Sequence, residues 1–129
     1  MDPEHLRIIL VEDDPFNQET IQAVLEGAGH TVRATDRGSE ALRWLEEGPC
    51  DLLMMDLRMP EIDGPSLYRL AKERWLLSAP RPLFVSGYAD LGPYGSDPEM
   101  RDVPVLFKPF TLAELFAAVK RALQEAPAQ

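Results

Sequence analysis

The chain is short of cysteine, of positive charge and of long apolar runs, and each shortage removes a class of protein. Cys50 stands alone, so no internal disulfide can form, and a reducing compartment is the simpler expectation. Lysine and arginine number 13 against 22 acidic residues, a net charge of −9. That balance argues against a nucleic-acid surface, which needs clustered basic residues, and against an anionic membrane face. The longest unbroken aliphatic and aromatic run, Leu115 to Val119, falls far short of the ~20 residues that cross a bilayer. The acidic start Met1-Asp2-Pro3-Glu4 is unlike a secretory signal. A cytoplasmic protein with neither nucleic-acid nor membrane partners is expected.

What is present fits one globular unit. A chain of 129 residues, 45% hydrophobic and 27% charged, can bury a core of its own. Residues 1–125 are expected to form the domain, and 126–129 a frayed tail. No repeat or low-complexity segment interrupts it.

The organising stretch is Cys50 to Gly64. Leu52-Leu53-Met54-Met55 runs into Asp56, and Pro60, Asp63 and Gly64 then break the pattern. A short continuous apolar run bounded by turn residues reads as a strand covered on both faces of a parallel sheet. Leu6–Val11, Thr31–Thr35, Leu83–Val85 and Val103–Phe107 read as four further strands. Between them lie helical spacings. Asp14-Pro15 opens the first helix as cap and N1 proline, and Gly27 and Gly29 close it. Ala41, Leu42 and Leu45 mark a second helix, ended by Gly48-Pro49. Leu67, Leu70 and Ala71 mark a third, running to about Trp75 or Leu76. Thr111-Leu112-Ala113-Glu114 has capping-box spacing, with Leu112, Leu115, Phe116, Val119 and Leu123 on one face of the last helix.

Where alternation calls for one more helix, Gly92-Pro93, Gly95 and Pro98 intervene. An interior proline costs a helix about 3 kcal/mol and a glycine about 1. An irregular segment is expected there, with at most a short turn near Asp97 to Asp102. The fold class follows: α/β, a five-stranded, mostly parallel sheet with helices on both faces.

In such a sheet Glu12-Asp13, Asp56, Ser86 and Lys108 emerge together at the C-terminal edge. Three converging carboxylates repel one another unless a cation shares the site. Oxygen ligands without His or Cys suit Mg²⁺. A carboxylate can also act as a nucleophile toward phosphorus, with an ammonium and a hydroxyl balancing the phosphoryl oxygens. Taken singly, each residue has a plainer reading. Glu12-Asp13-Asp14 would be an acidic helix start, Lys108 a snorkelling lysine, and Ser86 and Asp63-Gly64 turn residues.

Four motifs in order change that weighting. Val11-Glu12-Asp13-Asp14-Pro15, Met55 to Gly64, Val85-Ser86-Gly87-Tyr88-Ala89-Asp90 and Phe107-Lys108-Pro109-Phe110 together resemble the receiver domain of two-component response regulators. The resemblance implies the flavodoxin-like receiver fold, here with its fourth helix replaced by the Pro/Gly-rich segment. It implies Asp56 as phosphoacceptor in a Mg²⁺-dependent reaction. Glu12, Asp13, Asp56 and the Arg58 main-chain carbonyl would be metal ligands, and Ser86 and Lys108 phosphoryl contacts. It also implies a cis Lys108–Pro109 peptide. A histidine kinase or histidine phosphotransfer protein would be the donor and protein contact the output, because no DNA-binding segment follows the last predicted helix. Pro15-Phe16-Asn17-Gln18 and the Ser86–Asp90 stretch look like receivers attached to hybrid histidine kinases.

Two departures stand out. Val105 occupies a position where many receivers carry an aromatic residue, and the Pro/Gly-rich segment replaces a helix that often forms the output or dimer surface. Arg58 and Tyr88, at the two variable positions flanking the phosphoryl site, are large enough to obstruct attacking water and so to tune the lifetime of the phosphoryl group. The competing readings are a phosphatase working through an aspartyl phosphate and a receiver-like scaffold that acts without phosphorylation. Arg58, standing where such a phosphatase wants a second acid, opposes the first.

Overall fold

A computed structural model describes residues 5–75, 79–87, 98 and 100–124. Gly92-Pro93 and Gly95 of the expected irregular segment, Tyr88, and the 126–129 tail lie outside the described residues, while residues 98 and 100–102 form turns, as expected near there. Five strands, β1 (Arg7–Val11), β2 (Thr31–Thr35), β3 (Leu52–Asp56), β4 (Arg81–Ser86) and β5 (Val105–Phe107), form one sheet in the order β2-β1-β3-β4-β5. Every pairing is parallel. Four helices among the described residues join them: α1 (Pro15–Gly27), α2 (Gly38–Glu47), α3 (Gly64–Arg74) and α4 (Leu112–Gln124).

Strand side chains alternate between faces, and the three inner strands divide accordingly. Ile8, Leu10, Leu52, Met54, Leu83 and Val85 pack with Ile21 and Leu25 of α1 and Leu115, Ala118, Val119 and Ala122 of α4. Ile9, Val11, Leu53, Met55 and Phe84 pack with Ala41, Leu42 and Leu45 of α2 and Leu67, Tyr68 and Ala71 of α3. Each face is therefore roofed by two helices. β3, buried along its whole length, must be apolar on both sides, which is why its sequence lacks alternation.

Local signals account for most boundaries. Asp14 caps α1, its Oδ1 accepting from Phe16 N at 2.9 Å and Asn17 N at 3.1 Å. Gly29, with φ 99°, turns the chain beyond that helix. Thr111 and Glu114 form the reciprocal capping box, Thr111 N donating to Glu114 Oε1 at 2.8 Å and Glu114 N to Thr111 Oγ1 at 3.1 Å.

Three expectations need correction. β4 begins at Arg81 rather than Leu83, so Pro82 lies inside the strand. Arg81 N donates toward β3 and Phe84 N toward β5, so Pro82 shares the β5-facing parity. β5 begins pairing only opposite Phe84, and the missing N–H at Pro82 breaks no ladder bond. β5 itself is shorter than expected, starting at Val105 rather than Val103. On α4 the inward stripe is Leu115, Ala118, Val119 and Ala122, while Leu112 stays 57% exposed and Phe116 39%.

Candidate functional site

The strand order brings the site together. β1 and β3 are neighbours, with Val11 paired to Met55, so Glu12 and Asp13 leave the sheet beside Asp56. Asp56 pairs with Val85, placing Ser86 one step further on, and Ser86 pairs with Phe107, immediately before Lys108. This edge is where strand order reverses around β1, the usual binding crevice of open α/β sheets.

Glu12, Asp13 and Asp56 each offer a carboxylate oxygen, all within 4.8 Å of one another. Lys108 Nζ lies 2.8 Å from Glu12 Oε1 and 3.2 Å from Asp56 Oδ2. Asp56 Oδ1 accepts from Arg58 N at 3.1 Å. Glu12 is held from three sides. Its N donates to Thr35 O at 3.0 Å, its carbonyl accepts from Gln18 Nε2 at 3.0 Å, and its Oε2 accepts from Asp14 N at 3.1 Å. Its other oxygen, Oε1, is buried, and the Lys108 contact is an ion pair not aligned as a hydrogen bond.

The electrostatics follow from burial. Glu12 is only 1% exposed. Burial pushes its carboxyl up to about 7; Lys108 and the Asp14 N–H oppose the shift, while Asp56 adds to it. Burial works to lower the Lys108 pKa, but pairing with Glu12 and the charge of Asp56 outweigh it, and the net direction is up. With all three acids ionised, one ammonium leaves two negative charges uncompensated. A hard divalent cation fits that surplus and the all-oxygen donor set. Asp13, exposed at the cluster's outer side, also lines an open cleft with Thr35, Asp36 and Glu40.

The remaining expected residues are placed as follows. Ser86 is buried at the end of β4. The Lys108–Pro109 peptide is cis, as the resemblance implied, and Lys108 N donates to Ser86 O at 2.7 Å. Val105 is half-buried and packs against the cluster of Met55, Leu57 and Phe84. Phe16 is 76% exposed on the first turn of α1, while Phe110 packs partly against the core.

Two residues near the site carry more than the sequence revealed. Asp63, read as a plain turn, caps α3 by accepting from Ser66 N at 2.8 Å. A Cβ on Gly64 would stand 2.6 Å from the Asp56 carbonyl oxygen, so a side chain there would displace the backbone of Asp56 itself.

With this geometry in place, comparison with known proteins is decisive. The response regulator receiver domain family matches residues 8–120. The chain belongs to that family. This receiver is 36% identical to the response regulator receiver protein CpdR of Brucella abortus (strain 2308), covering 91% of the chain and 96% of that protein. It is 35% identical to the sensor kinase CckA of the same organism over 92% of the chain, but spans only 12% of that kinase. A putative response regulator from Chloroflexus aurantiacus J-10-fl superposes with a TM-score of 0.81 at 30% identity, covering 96% of this receiver and 100% of that chain. The chemotaxis response regulator CheY4 of Vibrio cholerae shares the fold, with a TM-score of 0.80 at 19% identity over 92% and 99% of the two chains. Among the described residues no helix is long and apolar enough to cross a membrane.

Proposed function

We propose that this receiver accepts a phosphoryl group on Asp56 from a phosphohistidine donor, with Mg²⁺ required, and signals through protein contacts. The observation that carries the reading is the convergence of Glu12, Asp13, Asp56 and Lys108 within one buried-to-exposed cluster. Glu12, Asp13, Asp56 and the Arg58 main-chain carbonyl would hold the cation. When bound, Mg²⁺ neutralises charge on the phosphoryl oxygens. An Asp56 oxygen forms the new O–P bond as the donor's N–P bond breaks, and that bond's electron pair stays on the imidazole. Lys108 moves its contact from Asp56 Oδ2 to a phosphoryl oxygen, and the Ser86 hydroxyl donates to another. Val105 lacks the ring of the usual aromatic partner, so the response to phosphorylation runs through other packing.

The donor is a histidine kinase or histidine phosphotransfer protein, consistent with the sensor kinase CckA among the relatives. Placement in the cytoplasm follows from such a donor. The site acts as a phosphoacceptor rather than a turnover enzyme, since Arg58 stands where a phosphatase would want its second acid. The test is incubation with a small acyl phosphate, with and without Mg²⁺, read by intact mass. One added phosphoryl group is expected, dependent on Mg²⁺ and absent in Asp56→Asn. Labelling of Asp56→Asn would overturn the assignment.

A further inference from the structure

The segment between β3 and α3 is short and held at both ends. Leu57 N donates to Val85 O at 3.1 Å, and Gly64 N closes the loop onto Leu57 O at 3.1 Å. Arg58 N is tied to the phosphoacceptor, Asp56 Oδ1, at 3.1 Å. Residues 58–63 therefore form a loop closed at its base, with Met59 and Ile62 partly buried against the core.

The tip is docked on a helix that lacks a cap of its own. α2 begins at Gly38 with Arg37 in the cap position, and Arg37 makes no side-chain cap bond. The acceptor comes instead from 22 positions downstream. Glu61 Oε1 accepts from Ser39 N at 3.0 Å and Glu61 Oε2 from Ser39 Oγ at 3.1 Å. A carboxylate over the first turn also complements the helix dipole. These two bonds, the main-chain one first, hold the Glu61 carboxyl below its ordinary pKa although the side chain is exposed. The next residue, Ile62, rests on Gly38, where an added Cβ would stand 3.1 Å from the Ile62 Cβ. Two adjacent loop residues thus meet two adjacent residues of α2, and the glycine makes room for the contact.

We infer that Glu61 is a positioning residue for the cation site, fixing the Arg58 main chain by anchoring the loop tip to α2. The inference rests on the metal-site reading above. A ligand supplied by a main-chain carbonyl has no side-chain rotamer to adjust, so its aim is set by the loop that carries it. Loss of the Glu61 anchor lets that peptide reorient, and the cation is held less well even though no carboxylate ligand has changed.

The experiment is Mg²⁺ titration by calorimetry of the full chain, Glu61→Ala, Glu61→Gln and Asp13→Asn, with amide exchange of residues 57–64 followed in parallel. Glu61→Ala should weaken Mg²⁺ about tenfold, the lower end for outer-shell partners of metal sites. Its loop amides should exchange faster without the metal. Glu61→Gln keeps an acceptor oxygen for Ser39 and should fall between. Asp13→Asn should lose Mg²⁺ binding while its loop exchanges as in the parent. If the parent binds Mg²⁺ and Glu61→Ala binds it equally well, the positioning role is wrong and the site reading stands. If the parent binds no Mg²⁺, both fall.

Discussion

Single residues at this site are poised against one another rather than individually stabilised. Glu12 is buried with one ammonium to share, and its carboxyl rises to about 7 because burial outweighs that help. A bound divalent cation would invert the balance, since the ion becomes the largest local charge. Elsewhere a single histidine sets a pH response. His30 Nδ1 accepts from Leu6 N at 3.1 Å at the start of β1, so the ring must be neutral at that nitrogen. Burial, then the nearby His5, lowers its pKa from the ordinary ~6.5. A depressed folded pKa means the contribution is present above the unfolded value and is lost as pH falls through the folded one. The His30 contribution, read as the difference in thermal stability between the parent and His30→Gln, should therefore decline below about pH 6.5, while Glu12, with its raised pKa, contributes in the opposite direction over the same range. That difference should be small because the ring is only partly buried. At this scale Asp56 and Lys108 were legible, because charged residues ending apolar strands need partners. Glu61 was not: an exposed acid in a loop has no periodicity, and its partner Ser39 is distant in sequence.

At the scale of elements, the strands and helices were legible wherever local chemistry and burial agreed. Asp14-Pro15, Gly29 and the Thr111–Glu114 box set helix ends by hydrogen bonds within a few residues. The face of α4 was less so. Hydrophobicity ranked Leu112 and Phe116 as inward, but Ala118 and Ala122 take the buried positions beside Leu115 and Val119. Such a choice depends on the neighbouring surface, which no single-helix pattern contains. The start of β4 was missed for a similar reason, since the tolerance for Pro82 comes from where β5 begins. The junction of β3 and α3 yields a sharp prediction. In Gly64→Ala the new methyl meets the Asp56 carbonyl at 2.6 Å, and backbone must move. Stability should fall by about 1–3 kcal/mol, as for other overpacked sites, in chemical denaturation. Phosphorylation should fall with it, because the displaced backbone is that of the proposed acceptor. A folded, fully active Gly64→Ala would show that this approach is not constraining.

For the whole molecule, a net charge of −9 is concentrated in part around one cation-deficient cluster. Removing one of those charges should therefore stabilise the metal-free protein. Asp56→Asn is expected to unfold at higher temperature in chelator, by about 1 kcal/mol, as when an activity-related strain is relieved. Mg²⁺ should reverse the order. The parent gains about 2.7 kcal/mol at one hundred times its dissociation constant, and the variant gains less. A parent whose melting temperature ignores Mg²⁺ would argue against the cluster as a cation site. The chain spans nearly all of CpdR but about half of the transcriptional regulator CrdR of Helicobacter pylori (strain ATCC 700392 / 26695) and 12% of CckA.

The central claim is that strand ends gather acid and ammonium around a cation so that Asp56 takes up phosphoryl groups. The most direct measurement is to label the chain with a small acyl phosphate, digest it, and locate the phosphoryl group by fragment mass. The account predicts a single label on Asp56 that disappears when Mg²⁺ is chelated. A label on any other residue, or equal labelling with and without the cation, would contradict it.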